Sequence, residues 1–208
     1  MAAVVVSAIA PFFGVEEPLK VTHLLFVNLV MDGLGAIMLG NEPAQERYMS
    51  EPPRRRDESI VSKSMMAQIV TMGLWLTALS FVFLKVPFFD SFFASTEQKL
   101  SAYFVLFIWS ALFNAFNVRS EDRSLFAQGP LSNPAMNRAF LAGMAMELSV
   151  LLLPPLQRVF SVVPMDARQW FWVLALAIAP IPVCELGKAL RRGKKSGKEA
   201  EKTEMALR

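Results

Sequence analysis

The sequence predicts an all-α fold: a polytopic transmembrane helix bundle with five full spans plus an N-terminal half-span. Hydrophobic residues make up 54% of the 208 residues and the mean hydropathy is +0.39, which is too apolar for an ordinary soluble domain. A span needs roughly 20 apolar residues. Five runs are long enough and a sixth, at 1–14, is too short; the long runs lie at 22–40, 66–84, 101–118, 136–153 and 170–187.

The first run, 1–14, is also unlike a secretory signal. No basic residue precedes its apolar stretch, and Pro11-Phe12-Phe13 stands where a cleavage site would follow Ala8 and Ala10. We therefore expect a truncated transmembrane helix, so that the polypeptide starts in the middle of something larger.

The second run carries two polar side chains at its centre, Asn28 and Asp32. They are four residues apart, so a helix places them on one face. A carboxylate at bilayer depth costs about 3 kcal/mol or more and by default marks an ion or proton site. Amide and carboxylate oxygens suit a hard cation such as calcium. We predict that Asn28 and Asp32 are metal ligands of a transport site.

Two glycines, Gly33 and Gly35, follow this carboxylate directly. Glycine weakens a helix, and an unwound stretch would free backbone carbonyls beside Asp32. Close helix packing is the alternative role, and the position next to Asp32 favours unwinding.

The later elements follow from proline, charge and aromatic residues. The proline- and charge-rich segment 41–65 indicates an irregular loop, and a helix is expected from about Ser64 to Leu84. Four phenylalanines between 88 and 93 indicate a membrane interface. Asn133-Pro134 precedes the fourth long helix and Pro154-Pro155 ends it. Pro180 and Pro182 must kink the last one, because proline removes a helix hydrogen bond.

The basic residues predict the orientation. Sixteen of the 21 Lys and Arg residues lie in 41–65, in 119–138 or from Lys188 onward. By the positive-inside rule, the loops 41–65 and 119–135 and the C-terminal tail face the cytoplasm. A basic tail at 191–208 beside a bilayer anchors topology or touches anionic lipid, so no nucleic-acid partner is expected.

Several single residues have competing roles. His23 and Cys184 are interpreted as structural, and Asn114 and Asn117 as helix-packing groups. Glu147 is a second acid at membrane depth, either a proton-handling group or a partner for a buried base, and its role is left open. Glu185 is expected to reach water or to pair with Lys188, three residues on.

Four motifs follow one another along the chain. Residues 27–34 contain Asn-Leu-x-x-Asp-Gly, 39–54 contain Asn-Glu-Pro and Pro-Pro-Arg, 113–119 read Phe-Asn-Ala-Phe-Asn-Val-Arg, and Asn-Pro follows at 133–134. Together they resemble the C-terminal membrane region of P-type calcium-transporting ATPases, from the second half of the fifth helix through the tenth. The resemblance covers 1–190 as one C-terminal transmembrane domain, and 191–208 as a basic cytoplasmic tail.

The resemblance implies that Asn28 and Asp32 coordinate transported calcium. Met31 is similar to the plasma-membrane type, and Ala111 falls about where two-site pumps place a glutamate, so the pattern implies one calcium per cycle. Secretory-pathway pumps that carry calcium or manganese also have Met-Asp-Gly, which leaves Mn²⁺ open. Sodium–potassium pumps have aspartate at the position of Asn28, which argues against them.

The phosphorylated Asp-Lys-Thr-Gly-Thr motif of that family does not occur in this sequence. ATP and Mg²⁺ are therefore expected only in the complete pump, and we expect a fragment, or the product of a split or truncated gene, that does not hydrolyse ATP alone. The expected partners are the lipid bilayer and the remaining pump domains or a complementary subunit. The alternative functions are a standalone membrane scaffold or a regulatory subunit; a secondary transporter is disfavoured because no internal repeat is seen.

Overall fold

The computed structural model describes residues 2–42, 61–119 and 124–190, and all regular structure within these segments is helical. In chain order the helices are α1 (Ala2–Ile9), α2 (Val21–Gly40), α3 (Lys63–Lys85), α4 (Pro87–Asp90), α5 (Thr96–Val118), α6 (Leu125–Gln128), α7 (Pro134–Leu152), α8 (Pro154–Phe160) and α9 (Ala167–Leu190).

Five of these helices, α2, α3, α5, α7 and α9, are long and apolar enough to cross a membrane. The shorter apolar segment Ala2–Phe13 consists of α1 and a 3₁₀ turn, Ala10–Phe13. The predicted fold class, with five spans and one shorter N-terminal helix, is therefore confirmed. The tail 191–208 lies outside the described residues.

Side-chain caps start the long helices where the sequence offers them. Ser62 caps α3 by accepting from the backbone N–H of Met65 (3.1 Å), and Ser95 caps α5 by accepting from Gln98 (3.2 Å). The amide oxygen of Asn133 caps α7, whose first residue is a proline that needs no hydrogen-bond acceptor. Asn133-Pro134 therefore marks a helix start, as predicted.

Helix α5 is the centre of the bundle, with 67% of its apolar stretch buried against 22% for α2. Helix α9 packs along α5, α7 packs along the second half of α2, and α1 packs on α3. Three helices approach one another closely at Gly143 of α7. A Cβ there would lie 3.1 Å from Leu112 of α5 and 3.2 Å from Leu34 of α2, so glycine lets these three helices meet.

The end of the bundle near α4 is rich in aromatic contacts. Phe88 and Phe92 pack on Trp172, with ring centroids 5.4 and 5.5 Å apart. Near its middle, α9 is interrupted by a turn at Ala179, just before Pro180. The helix is therefore broken next to the first of the two prolines that were predicted to kink the last span, because proline removes a backbone donor.

Candidate metal centre

The helix that carries the predicted ligands is irregular. Within α2, residues Val27–Met31 form a π-helical turn, in which the backbone N–H of Asp32 donates to the carbonyl of Val27, five residues earlier. A π turn inside an α-helix is rare and is frequently found at functional sites. Asn28 lies within this turn and Asp32 directly follows it, so one predicted ligand is part of the irregular backbone and the other adjoins it.

The expectation of unwinding at Gly33 and Gly35 is wrong. Both glycines lie inside the regular helix Asp32–Gly40, and a Cβ at either position would meet no atom within 4 Å. The irregular turn instead precedes Asp32 and contains no glycine. The physical reason is that the wider π hydrogen-bonding pattern needs no left-handed backbone, so it gives no glycine signal in the sequence.

The side chains of the turn divide between two faces of α2. Asn28, Leu29 and Asp32 are exposed, whereas Met31 is only 7% exposed and belongs to the hydrophobic core. The thioether of Met31 therefore faces the bundle, and the two oxygen-bearing side chains stand on the side that no described helix covers. The soft sulfur of Met31 is therefore on a different face of α2 from the two predicted oxygen ligands.

Within the described segments, neither Asn28 nor Asp32 makes a side-chain hydrogen bond or an ion pair, and no group of three His, Cys, Asp or Glu residues is placed to hold a metal ion. Two such side chains offer at most three oxygens, whereas Ca²⁺ takes six to eight. Asn28 and Asp32 are therefore too few to hold Ca²⁺ by themselves.

One end of α2 is held by a polar network that includes a buried arginine. Arg119, directly after α5, donates to both carboxylate oxygens of Glu42 at 2.8–3.2 Å, to the carbonyl of Gly129 at 3.2 Å and to the hydroxyl of Ser132 at 2.8 Å. Asn133 adds a donor to Glu42 at 2.9 Å. The network joins the ends of α2 and α5 to the start of α7.

This network changes the acidity of Glu42. Partial burial by itself raises the pKa of the Glu42 carboxyl, but hydrogen bonds from Arg119 and Asn133, together with the positive charge of Arg119, bring the pKa below its ordinary value. Glu42 is thus held as a carboxylate that accepts from two side chains. The end of α2 is fixed by charge-assisted bonds, which are stronger than neutral ones.

The opposite end of α2 is held by His23, which is 2% exposed. Its Nδ1 accepts from the backbone N–H of Lys20 (3.3 Å), so its Nε2 is the donor to the carbonyl of Phe160 (2.8 Å). The imidazole stacks on Phe104 with ring centroids 3.9 Å apart. His23 therefore has the structural contacts expected of it, and α2 is anchored on both sides of its π turn.

Glu147 of α7 is fully buried, and neither of its carboxylate oxygens has a hydrogen-bond partner. No basic residue in the described segments pairs with it, so its predicted role as the partner of a buried base is not seen there. It remains the one membrane-depth acid in these segments whose side chain is enclosed by the bundle.

The other residues with predicted roles are packed as expected. Asn117 donates to Asn114 (3.1 Å) and to the carbonyl of Pro180 (3.0 Å), which ties α5 to α9. Glu185 pairs with Lys188 at 3.4 Å. The arginines at 54–56, which belong to the basic loop 41–65, lie outside the described residues.

Sequence reasoning missed two features of the site. The π turn has no compositional signal, since Val27–Met31 reads as an ordinary apolar helix apart from Asn28. The Glu42–Arg119 pair was visible only as two opposite charges at the ends of predicted helices. Three of the motifs used for the family resemblance supply Glu42, Arg119 and Asn133, so the network explains why these polar residues stand at helix ends.

The comparisons with known proteins agree with this architecture. Residues 16–190 match the family described as "Cation transporting ATPase, C-terminus". The chain is 31% identical over 199 residues to calcium-transporting ATPase 1 of Bacillus cereus, an alignment that covers 88% of this chain and 22% of that protein. It is 29% identical to calcium-transporting ATPase 1 of Schizosaccharomyces pombe (93% of this chain, 21% of that protein) and 29% identical to human calcium-transporting ATPase type 2C member 2 (90% and 20%).

The chain therefore spans about a fifth of the length of the curated relatives it matches. The family match extends over most of the sequence and includes all five long helices. The chain belongs to the family of cation-transporting ATPase C-terminal membrane regions.

Proposed function

We propose that this chain is the ion-translocating membrane part of an ATP-driven calcium pump and that Asn28 and Asp32 contribute calcium ligands. The observation that supports this most is the polar face of α2. An amide and a carboxylate stand exposed at a π turn in the middle of a helix long enough to cross a membrane. Such groups in lipid need a polar or ionic partner.

The donor set favours a hard cation. The side chains supply oxygen only, and the nearby sulfur of Met31 is turned into the core. Ca²⁺ binds carboxylate and amide oxygens, often with backbone carbonyls completing the shell. The names of the relatives also favour calcium, and manganese is the alternative ion because it accepts the same oxygen ligands.

Further helices are proposed to complete the site. A groove of about 470 Å³ is open between α2, α3 and α5, and it is lined by Leu39, Ile69, Met72 and Leu76 together with Asn114. Helix α1 packs on α3, and the groove continues along the same helix. A longer pump would place additional apolar helices there, and ATP with Mg²⁺ would act in its remaining domains.

The movement of α2 is proposed to drive transport. Both ends of the helix are anchored, at Glu42 and at His23, whereas the turn between them is irregular. A helix held at its ends and weakened at its centre can change the position of Asn28 and Asp32 without leaving the bundle. That change would expose the bound ion first to one side of the membrane and then to the other.

The test is calcium uptake by sealed vesicles that contain the complete transporter. Asp32→Asn should abolish uptake, because a neutral amide replaces the one carboxylate, and Asn28→Ala should weaken the apparent calcium affinity by about tenfold or more. Glu17→Gln is the control, since Glu17 is an exposed acid outside the long helices. Near-normal uptake by Asp32→Asn would refute the assignment, and a scaffold or regulatory role would then be preferred.

We also propose that the Glu42–Arg119 end of the bundle is cytoplasmic, with the loops 41–65 and 119–135 and the tail on that side. Single cysteines placed at exposed positions, Ala127→Cys and Ser91→Cys, in a Cys184→Ser background test this orientation. A membrane-impermeant thiol reagent added outside intact cells should label Ser91→Cys and spare Ala127→Cys. The reverse labelling pattern would overturn the proposed sidedness.

A further inference from the structure

Glu147 is the most unusual titratable group in the bundle. Its exposure is 0%, and both of its carboxylate oxygens are buried without a hydrogen-bond partner. An ionised carboxylate without a partner is among the most costly groups to bury in a protein. A buried acid of this kind is retained either as a neutral group or together with a bound cation.

The position of Glu147 follows from the register of α7 against α2. Asn133, before α7, contacts the carbonyl of Asn41 at the end of α2 (3.2 Å), and Phe160, beyond α7, contacts His23 near the start of α2. The two helices are therefore antiparallel along their whole length.

Leu34 and Gly143 mark the level at which the two helices meet. One turn further along α7 lies Glu147, and one turn back along α2 lies Val30, in the π turn. Glu147 is thus at the depth of the candidate metal centre. The two acids differ in burial, because Glu147 is enclosed by the bundle whereas Asp32 is exposed on the outer side of α2.

The charged groups on the neighbouring helices are otherwise engaged or distant. On α5, Lys99 donates to the carbonyl of Leu84 and to Asp90, and on α8 Arg158 is exposed beyond the end of α7. On α2 the titratable groups are His23, bonded to Phe160 at the end of the helix, and Asp32, which is itself an acid. Neither carboxylate oxygen of Glu147 accepts from a basic side chain of the described segments.

The space around Glu147 indicates whether a proton or a larger cation neutralises its carboxylate. Each carboxylate oxygen has less than 1 Å² of accessible surface, so no water-sized gap touches it. A hydrated or partly hydrated metal ion needs several oxygen ligands. In the described segments no group of three His, Cys, Asp or Glu residues is placed to hold such an ion. A proton needs no cavity and converts the carboxylate into a neutral acid.

We propose that Glu147 is a proton-binding site of this membrane domain, at the depth of the π turn and separate from Asn28 and Asp32. In the conformation described here it holds one proton on its carboxyl group. The proton occupies the enclosed side of α2, while the metal-ligand candidates occupy the exposed side. This pairing of two acids across one irregular helix is not implied by the family resemblance.

Infrared spectroscopy of the purified chain in detergent tests the proposal without calcium. At about pH 8, exposed carboxyl groups are ionised, so a C=O band of a protonated carboxylic acid that shifts in D₂O reports a buried acid. We expect this band in the wild-type chain, its loss in Glu147→Gln, and its retention in the control Glu17→Gln. A wild-type chain without the band overturns the proposal whether or not the variant folds, and so does a band that survives in folded Glu147→Gln.

The consequence for transport rests on the proposed function and has its own measurement. If α2 moves against α7 during calcium transport, the surroundings of Glu147 change and its proton is exchanged. In vesicles with the complete transporter, Glu147→Gln should then move about one proton fewer per calcium than wild type. An unchanged number of protons per calcium overturns the proposed proton exchange. A different result distinguishes the two sites: if Asp32→Asn abolishes calcium uptake but keeps the infrared band, the proton site at Glu147 is separate from the calcium ligands.

Discussion

Arg119 and Glu42 lie 77 positions apart in the sequence and form a bidentate ion pair, with Nη2 2.8 Å from Oε1 and Nε 3.0 Å from Oε2. The Arg119 side chain is 2% exposed and that of Glu42 is 21% exposed. Because the planar guanidinium fits both carboxylate oxygens, the pair fixes direction as well as distance. The end of α2, which carries the proposed ligands, is therefore positioned by the end of the central helix α5.

Removal of Arg119 should destabilise the bundle. Arg119→Ala leaves the Glu42 carboxylate without its main partner and is expected to cost about 2–3 kcal/mol, since breaking a largely buried pair is expensive and Glu42 keeps some contact with solvent. Thermal or denaturant unfolding of the chain in detergent measures this. Arg158→Ala, at an exposed position, is the control and should change the unfolding free energy by less than about 0.5 kcal/mol. Equal stabilities of the two variants would contradict a stabilising role for the pair.

The fork geometry of Arg119 should matter beyond its charge. Arg119→Lys keeps the positive charge but cannot reach Glu42, Gly129 and Ser132 together, because an ammonium is a point donor. We expect it to recover less than half of the stability lost in Arg119→Ala. Full recovery would show that charge alone holds the end of α2.

The pair should also make stability depend on pH. The pKa of Glu42 in the folded chain lies below its ordinary value of 4.5, so the stabilisation is fully present above that value and is lost as the pH falls through the folded pKa. The melting temperature of the wild-type chain should therefore drop in acid by more than that of Glu42→Gln. Melting curves recorded between about pH 7 and pH 3 test this, and parallel pH profiles of the two proteins would rule out Glu42 as a source of acid sensitivity.

Replacement of the proposed ligands should leave the fold intact. Asp32 is exposed and makes no described side-chain contact, so Asp32→Asn should shift the unfolding free energy of the chain by no more than about 0.5 kcal/mol. The same substitution is expected to abolish calcium uptake by the complete transporter. A large loss of stability in Asp32→Asn would instead indicate a structural role for this carboxylate.

Two glycines should respond in opposite directions to added volume. Gly143→Leu forces a side chain against Leu112 and Leu34 and is expected to cost about 1–3 kcal/mol, as overpacking does. Gly35→Ala has open space around it and should be neutral or stabilise α2 by up to about 1 kcal/mol, because alanine favours a helix over glycine. Unfolding of the two variants, compared with wild type, provides the measurement. Stabilisation by Gly143→Leu would contradict the close helix contact.

The helices themselves could be predicted because their signals are local. A long apolar run needs to satisfy its backbone within itself in a membrane, and this alone selects a helix. Ser62, Ser95 and Asn133 then define helix starts through their own side chains. The spacing of Asn28 and Asp32 was also readable, since the repeat of a helix decides which residues share a face.

The tertiary structure alone decided what surrounds those residues. It placed the irregular turn before Asp32, where the two glycines had suggested a break after it, because the choice between α and π hydrogen bonding depends on how α2 packs on its neighbours. It also decided that Met31 and Glu147 are enclosed while Asp32 is exposed. The sequence by itself determined which segments cross the membrane and which polar groups they carry. Burial and partnership required the fold, because they depend on contacts between helices that are far apart along the chain.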